Sequence, residues 1–198
     1  MRRMRARHVF GIAAVCLALP IFFAGVAQSH GYTQNPPSRS YNCAQGTVND
    51  CGAIQWEPQS VEGPKGFPQA GPQDGQLCAA DNASFAELDD PRGGQWPAVD
   101  LTAGRDFQFT WSLTARHATT SFRYFVTKDG WDPSAPLTRD QLEPEPFLTV
   151  DFGGQPPATV EHTGRLPDGK SGRHLIYGVW DVADTGNAFY SCADVNFG

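Results

Sequence analysis

Between residues 107 and 114 apolar and polar side chains alternate without a break: Phe107, Phe109, Trp111 and Leu113 against Gln108, Thr110, Ser112 and Thr114. A repeat of two places all four apolar side chains on one face, the signature of a half-buried strand. Residues 121–127 (SFRYFVT), 147–152, 158–162, 174–181 and 193–197 read as further strands, separated by turns rich in Gly, Pro and Asp. Helical periodicity is nearly absent. Residues 35–104 are rich in Gly, Pro, Gln and Asn and sustain no period, so they read as a large ordered loop region with short helical turns, one near residues 84–88. A loop that long in a compact domain usually carries function. No internal repeat is visible. The expected fold is all-β: an immunoglobulin- or fibronectin III-like β-sandwich with a large loop/short-helix insertion after the first strand.

The amino-terminal pattern is of another kind. Residues 1–7 hold four Arg and no acid, residues 9–26 form an apolar run interrupted by Pro20, and Ala27-Gln28-Ser29 closes it with small residues. Basic start, short apolar core and small-residue cleavage site describe a secretory signal peptide over 1–29 and a secreted, extracellular protein; a retained membrane anchor is the competing reading. Residues 30–198 then form one domain, long enough for a real core. Cleavage after Ser29 frees the amine of His30, and a terminal amine beside its own imidazole offers two nitrogens to one metal ion.

Charge narrows the partners. Residues 1–29 take four of the 15 basic residues and none of the 21 acidic ones, leaving 11 against 21 and a formal charge of −10. An acidic chain is repelled by nucleic acid and anionic membranes, whereas a neutral polysaccharide raises no such objection. Cys16 leaves with the signal. Cys43, Cys51, Cys78 and Cys192 remain, an even set that suits disulfides in an oxidising compartment. Of three possible pairings, spacing favours Cys43–Cys51 with Cys78–Cys192. A four-cysteine zinc site competes poorly, because no Cys-x-x-Cys pair exists.

His117 falls where one strand ends and the next begins, which places it in an exposed turn near one end of the sandwich. Taken alone it reads as a solvated loop histidine. His162 and His174 receive that same reading, having no evident partner nearby in sequence.

Long ordered segments carry a resemblance over nearly all of residues 30–198: His30-Gly31-Tyr32 with Pro37-Ser38-Arg39, 59–63 (QSVEG), 65–71 (KGFPQAG), 114–117 (TARH), and 180–185 (WDVADT) leading into 187–190 (NAFY). The chain resembles the bacterial lytic polysaccharide monooxygenases of auxiliary-activity family 10, in particular the single-domain chitin-active members once called chitin-binding proteins. The resemblance implies one copper ion held by His30 and His117 as a histidine brace: the terminal amine and two ring nitrogens. Nitrogen donors of this type suit copper, and three protein ligands leave positions open for an oxygen co-substrate.

By the same resemblance Phe189 shields one axial side of the metal, Ala115 packs near the other, and Glu62 is an acid that positions the oxygen co-substrate. Asp184 and Thr185 match polar positions near the substrate surface. Trp56 stands where related chains often carry Tyr; its ring can stack on a sugar's C–H face. Cys43–Cys51 matches a bridge of the chitin-binding proteins. Cys78 and Cys192 match a bridge of many actinobacterial members, cellulose-active ones included. The implied activity uses an external electron donor and O2 or H2O2 to hydroxylate C1 in crystalline chitin; the glycosidic bond then breaks and an aldonic-acid end results. A monomer with a flat face and no deep pocket is expected. Cellulose oxidation, a non-catalytic chitin-binding or adhesion module, and a copper carrier are the alternatives.

Overall fold

The computed structural model describes residues 30–198; the signal peptide expected over 1–29 lies outside the described residues. Two sheets face each other. The smaller has the order β1-β4-β7, from β1 (His30–Asn35), β4 (Asp106–Ala115) and β7 (Thr159–Arg165). The larger has the order β2-β9-β8-β5-β6, from β2 (Glu62–Pro64), β5 (Thr119–Val126), β6 (Leu148–Gly154), β8 (Gly172–Val182) and β9 (Asn187–Phe197). β3 (Val99–Leu101) joins it parallel to the end of β9. The all-β sandwich expected from the pattern is the fold observed, with the insertion following β1.

The alternating residues of β4 do what their period requires. Phe109, Trp111 and Leu113 point into the space between the sheets, where they meet Phe122, Tyr124, Trp180 and Phe189. β8 and β9 behave differently, being buried along almost their whole length. The reason is the insertion, which covers the outer face of the larger sheet with Ile54, Phe67, Leu77, Phe85, Leu88 and Trp96 packed on Phe125, Tyr177, Val179 and Tyr190. A strand covered on both faces reads as an unbroken apolar run, as residues 174–181 do.

Polar anchors hold the insertion against the sandwich. The one α-helix among the described residues, α1 (Arg39–Ala44), is capped by Ser38, whose side chain accepts from the Tyr41 amide. Arg39 donates from Nε to Asp194 Oδ2 at 2.8 Å and from Nη1 to the Leu88 carbonyl at 2.8 Å, while its guanidinium lies over the Trp96 ring. The pair is nearly dry, and removing one partner would strand a buried charge. Both expected disulfides form, Cys43–Cys51 and Cys78–Cys192. The second closes a span of 114 residues, worth roughly 4–5 kcal/mol in the chain-entropy account. The helical turn near 84–88 is a 3-10 helix over Ala83–Leu88.

Two histidines depart from the solvated-loop expectation. His174 is buried and its Nδ1 meets Thr127 Oγ1 at 3.0 Å. His162 is half-buried among Phe109, Phe122 and Tyr124, with Nε2 2.5 Å from Tyr124 Oη. Their partners, Tyr124 on β5 and Thr127 just past its end, are 38 and 47 positions away in sequence, so local pattern cannot display them.

Burial lowers the His162 pKa to about 4. The folded state therefore binds fewer protons than the unfolded state between pH 4 and 6.5, and stability falls as pH drops through that window. Asp89 acts oppositely. Burial lifts its carboxyl to about 6 despite amide donors from Cys78 and Ala79, so ionising it on the way up costs stability. Denaturant titrations from pH 4 to 7 should show His162→Gln losing acid sensitivity on the order of 2 kcal/mol, after discounting for solvent near a half-buried ring. Asp89→Asn should make the loss on acidification steeper. Parallel curves for wild type and both variants would contradict the assignment.

Candidate functional site

His30 opens β1 and lies opposite Ala115, the last residue of β4. His117 follows two residues later, in the turn between β4 and β5. Antiparallel pairing therefore brings to one end of the sandwich two imidazoles that are 87 positions apart in sequence. Gly31 makes the approach possible. A Cβ there would fall 2.6 Å from Leu113 Cδ2 and 3.0 Å from Trp180 Cζ3, so any side chain would push the strand start off the core. The Gly31 amide also donates to the Gln59 carbonyl at 2.9 Å, linking β1 to the segment that enters β2.

The His117 turn is fixed from beneath. Thr119 Oγ1 donates to the His117 carbonyl at 3.1 Å and accepts from Trp180 Nε1 at 2.7 Å. The Ala183 amide reaches the Ala118 carbonyl at 2.6 Å. The His117 ring is largely buried, and its Nδ1 lies 3.2 and 3.3 Å from the two carboxylate oxygens of Asp184. A neutral imidazole facing a carboxylate carries its proton on Nδ1, which leaves the Nε2 lone pair outward.

Glu62 starts β2 and pairs in register with Phe189 of β9. Its Oε1 accepts from Asn187 Nδ2 at 2.9 Å, which fixes the carboxylate. Gly63 permits the close seat of β2: a Cβ would lie 2.5 Å from the Ala80 carbonyl oxygen. Phe189 is fully buried, its ring 4.9 Å from Trp180. Thr185 Oγ1 accepts from the Asn187 amide at 3.2 Å and so stiffens the turn before β9. Beside His30 lies a cavity of about 350 Å³ bordered by Glu57, Ser60, Glu62, Asn82, Ser84 and Asn187. Its lining is mostly polar.

Trp56 closes a 3-10 helix over Gly52–Trp56 and is 82% exposed, the only large apolar side chain so displayed among the described residues. Cys51 and the fully buried Ile54 pin that helix, so the ring is held out by a rigid base.

Among the described residues no three His, Cys, Asp or Glu side chains cluster as a metal site. Two imidazoles alone make an incomplete donor set. An amine freed at His30 would complete it with the atom type that the His30 and His117 rings already supply, and with His117 Nδ1 engaged by Asp184 the residues present fit a nitrogen-liganded ion. Sequence reading missed the Asp184 contact, the Asn187 hold on Glu62 and the role of Gly31. All three lie in the segments that carried the resemblance, but their contacts are long-range.

The chain is similar to known proteins in both sequence and fold. A family model described as "Lytic polysaccharide mono-oxygenase, cellulose-degrading" matches residues 30–195. The chain is 45% identical over 172 residues to GlcNAc-binding protein A of Shewanella oneidensis, covering 86% of this chain and 36% of that protein. It is 44% identical over 194 residues to the AA10 family lytic polysaccharide monooxygenase C of Mycosarcoma maydis, covering 96% and 59%. It thus spans from about a third to three fifths of these relatives' length. Among solved structures, an AA10 lytic polysaccharide monooxygenase from Streptomyces lividans superposes with a TM-score of 0.83 at 57% identity, covering 85% of this chain and 100% of that one. The Bacillus amyloliquefaciens CBM33 in complex with Cu(I) gives 0.77 at 39%, with the same coverage. From residue 30 onward, the chain belongs to the lytic polysaccharide monooxygenases of auxiliary-activity family 10.

Proposed function

We propose that the protein is secreted, loses residues 1–29, and acts as a monomeric copper monooxygenase that oxidises C1 of crystalline chitin. The observation that carries this reading is the meeting of His30 and His117 at adjacent strand ends, with Asp184 on Nδ1 of the second ring. The Cu(I) in a structural relative and the GlcNAc-binding names of sequence relatives support the metal and the polymer.

His30 would hold the ion through its amine and ring, His117 through Nε2. Bound copper supplies one-electron chemistry toward O2 or H2O2, with electrons from an external donor. Ala115, opposite His30 in the ladder, presents only a methyl group and would not crowd an ion held by His30. Phe189 fills the core side with an apolar ring that keeps water away. Glu62, held by Asn187 and bordering the cavity, offers a fixed carboxylate to accept a hydrogen bond from the oxygen co-substrate. Trp56 stacks on a sugar ring of the solid, and Asp184 and Thr185 border the face that meets it. Once C1 carries a hydroxyl group, that carbon expels the oxygen of the next sugar, which leaves as its free 4-hydroxyl with the proton of the new hydroxyl; C1 becomes a lactone carbonyl, and water opens the lactone to an aldonic acid. Cellulose is the second candidate polymer, because the matching family model is described as cellulose-degrading.

Protein beginning at His30, given copper and ascorbate, should release oxidised oligosaccharides from β-chitin, read by mass spectrometry beside a cellulose control. His117→Ala, or one residue added before His30, should abolish these products with the melting temperature nearly unchanged. Full activity in either variant would overturn the ligand assignment. Chitin binding without products would leave a binding module, and copper uptake without chitin affinity a carrier. Trp56→Ala should weaken chitin binding on the order of tenfold in a depletion assay, since losing one stacked aromatic anchor costs about 1–2 kcal/mol. An unchanged isotherm would remove Trp56 from the binding face.

A further inference from the structure

The contact between His117 and Asp184 is weaker than its position suggests. The Asp184 side chain is 53% exposed, and an exposed pair of this kind contributes less than about 1 kcal/mol. Ordering each residue of the turn at 183–186, which carries Asp184 between β8 and β9, costs roughly 1–2 kcal/mol of backbone entropy. The carboxylate cannot hold both itself and the histidine in place. Something else must fix the turn.

Lys65 meets that need. It directly follows β2, and its backbone amide donates to the Gly186 carbonyl at 3.0 Å. Its ammonium donates to the Thr185 carbonyl at 2.7 Å and also to the Val182 carbonyl. Those two carbonyls bracket Ala183 and Asp184, so one half-buried cation grips the turn on both sides of the acid. On the opposite side the Ala183 amide is tied to the Ala118 carbonyl, next to His117. A charged donor makes stronger hydrogen bonds than a neutral one, and the two ammonium contacts, with the backbone amide beside them, outweigh the single exposed pair. Lys65 thereby links the strand that carries Glu62 to the turn that carries Asp184.

We infer that Lys65 is a positioning residue for His117: it fixes the 183–186 turn so that Asp184 holds the ring with Nδ1 protonated and Nε2 turned to the metal. The inference rests on the proposed role of His117 as a copper ligand. Lys65 touches neither the ion nor the polysaccharide, and acts through the turn alone.

The test uses protein beginning at His30, wild type against Lys65→Met and Lys65→Arg. In the metal-free state at pH 7, long-range proton–nitrogen correlation spectra read the His117 tautomer directly. Wild type should show the Nδ1–H form, Lys65→Met a mixture of both forms, and Lys65→Arg the wild-type pattern restored. With copper added, Lys65→Met should raise the Cu(II) dissociation constant about tenfold and shift the paramagnetic resonance hyperfine coupling, as losses around a ligand histidine do. Lys65→Arg should recover both. Should Lys65→Met fail to fold, Lys65→Gln, which keeps a donor group but removes the charge and shortens the reach, is read against the same outcomes. An unchanged tautomer with copper affinity within twofold of wild type would overturn the inference. The underlying reading fails separately: if His117→Ala binds copper as wild type does, the ligand assignment falls, whatever the tautomer spectra of the metal-free Lys65 variants show.

Discussion

The pairing of β1 with β4 is the constraint on which the site depends. It sets the start of the described chain against the end of a strand whose own apolar face is locked between two sheets, and it does so in a register that faces His30 with Ala115. The pairing steps from Gly31–Leu113 to His30–Ala115 across an irregularity in the ladder, and a slip of that register would carry His30 away from the strand end that leads to His117. Gly31 protects the register sterically, because the first turn of pairing lies directly on Leu113 and Trp180. Everything else at this end is arranged around that fixed point.

A second set of interactions turns the fixed point into a chemical site. Glu62 comes from the insertion, Phe189 and Asn187 from β9, Asp184 from the turn before it, and Trp56 from a short helix pinned by a disulfide. No one segment owns the face. The buried Arg39–Asp194 pair and the Cys78–Cys192 bridge tie the insertion to β9 beyond the end that carries Glu62 and Phe189, and so keep these separate contributions in one frame. An insertion that would be a liability as a loose loop is instead a second layer of core, with Phe67, Leu77 and Trp96 fully buried. Rigidity suits the proposed docking on a solid polysaccharide, which needs a fixed face rather than one that folds around a small molecule.

The sequence displayed the parts whose physics is local. Alternation in β4 and the unbroken apolar run of β8 both follow from how many faces are covered, and both were readable. β2 and β3 were not, because three residues such as Glu62-Gly63-Pro64 have no strand pattern of their own and are strands only by pairing with β9. The early start of β9 at Asn187 was hidden for a similar reason, as Asn187 follows a polar turn and is itself exposed. At the site, His30 and His117 were legible through cleavage chemistry and family motifs. The Asp184 contact spans 67 residues, and the Lys65 grip on the 183–186 turn spans nearly 120, so neither leaves a trace in local pattern. His162 and His174 show the same limit, since each found its partner far away in sequence.

The central claim is that one copper ion is held by a free amine and two imidazoles at this end of the sandwich. It is tested most directly by titrating Cu(II) into protein that begins at His30 and following the paramagnetic resonance spectrum. The account predicts a single saturating species at one equivalent, with hyperfine structure from three nitrogens. Loss of the saturable species, or an identical one when the amine is blocked, would contradict it.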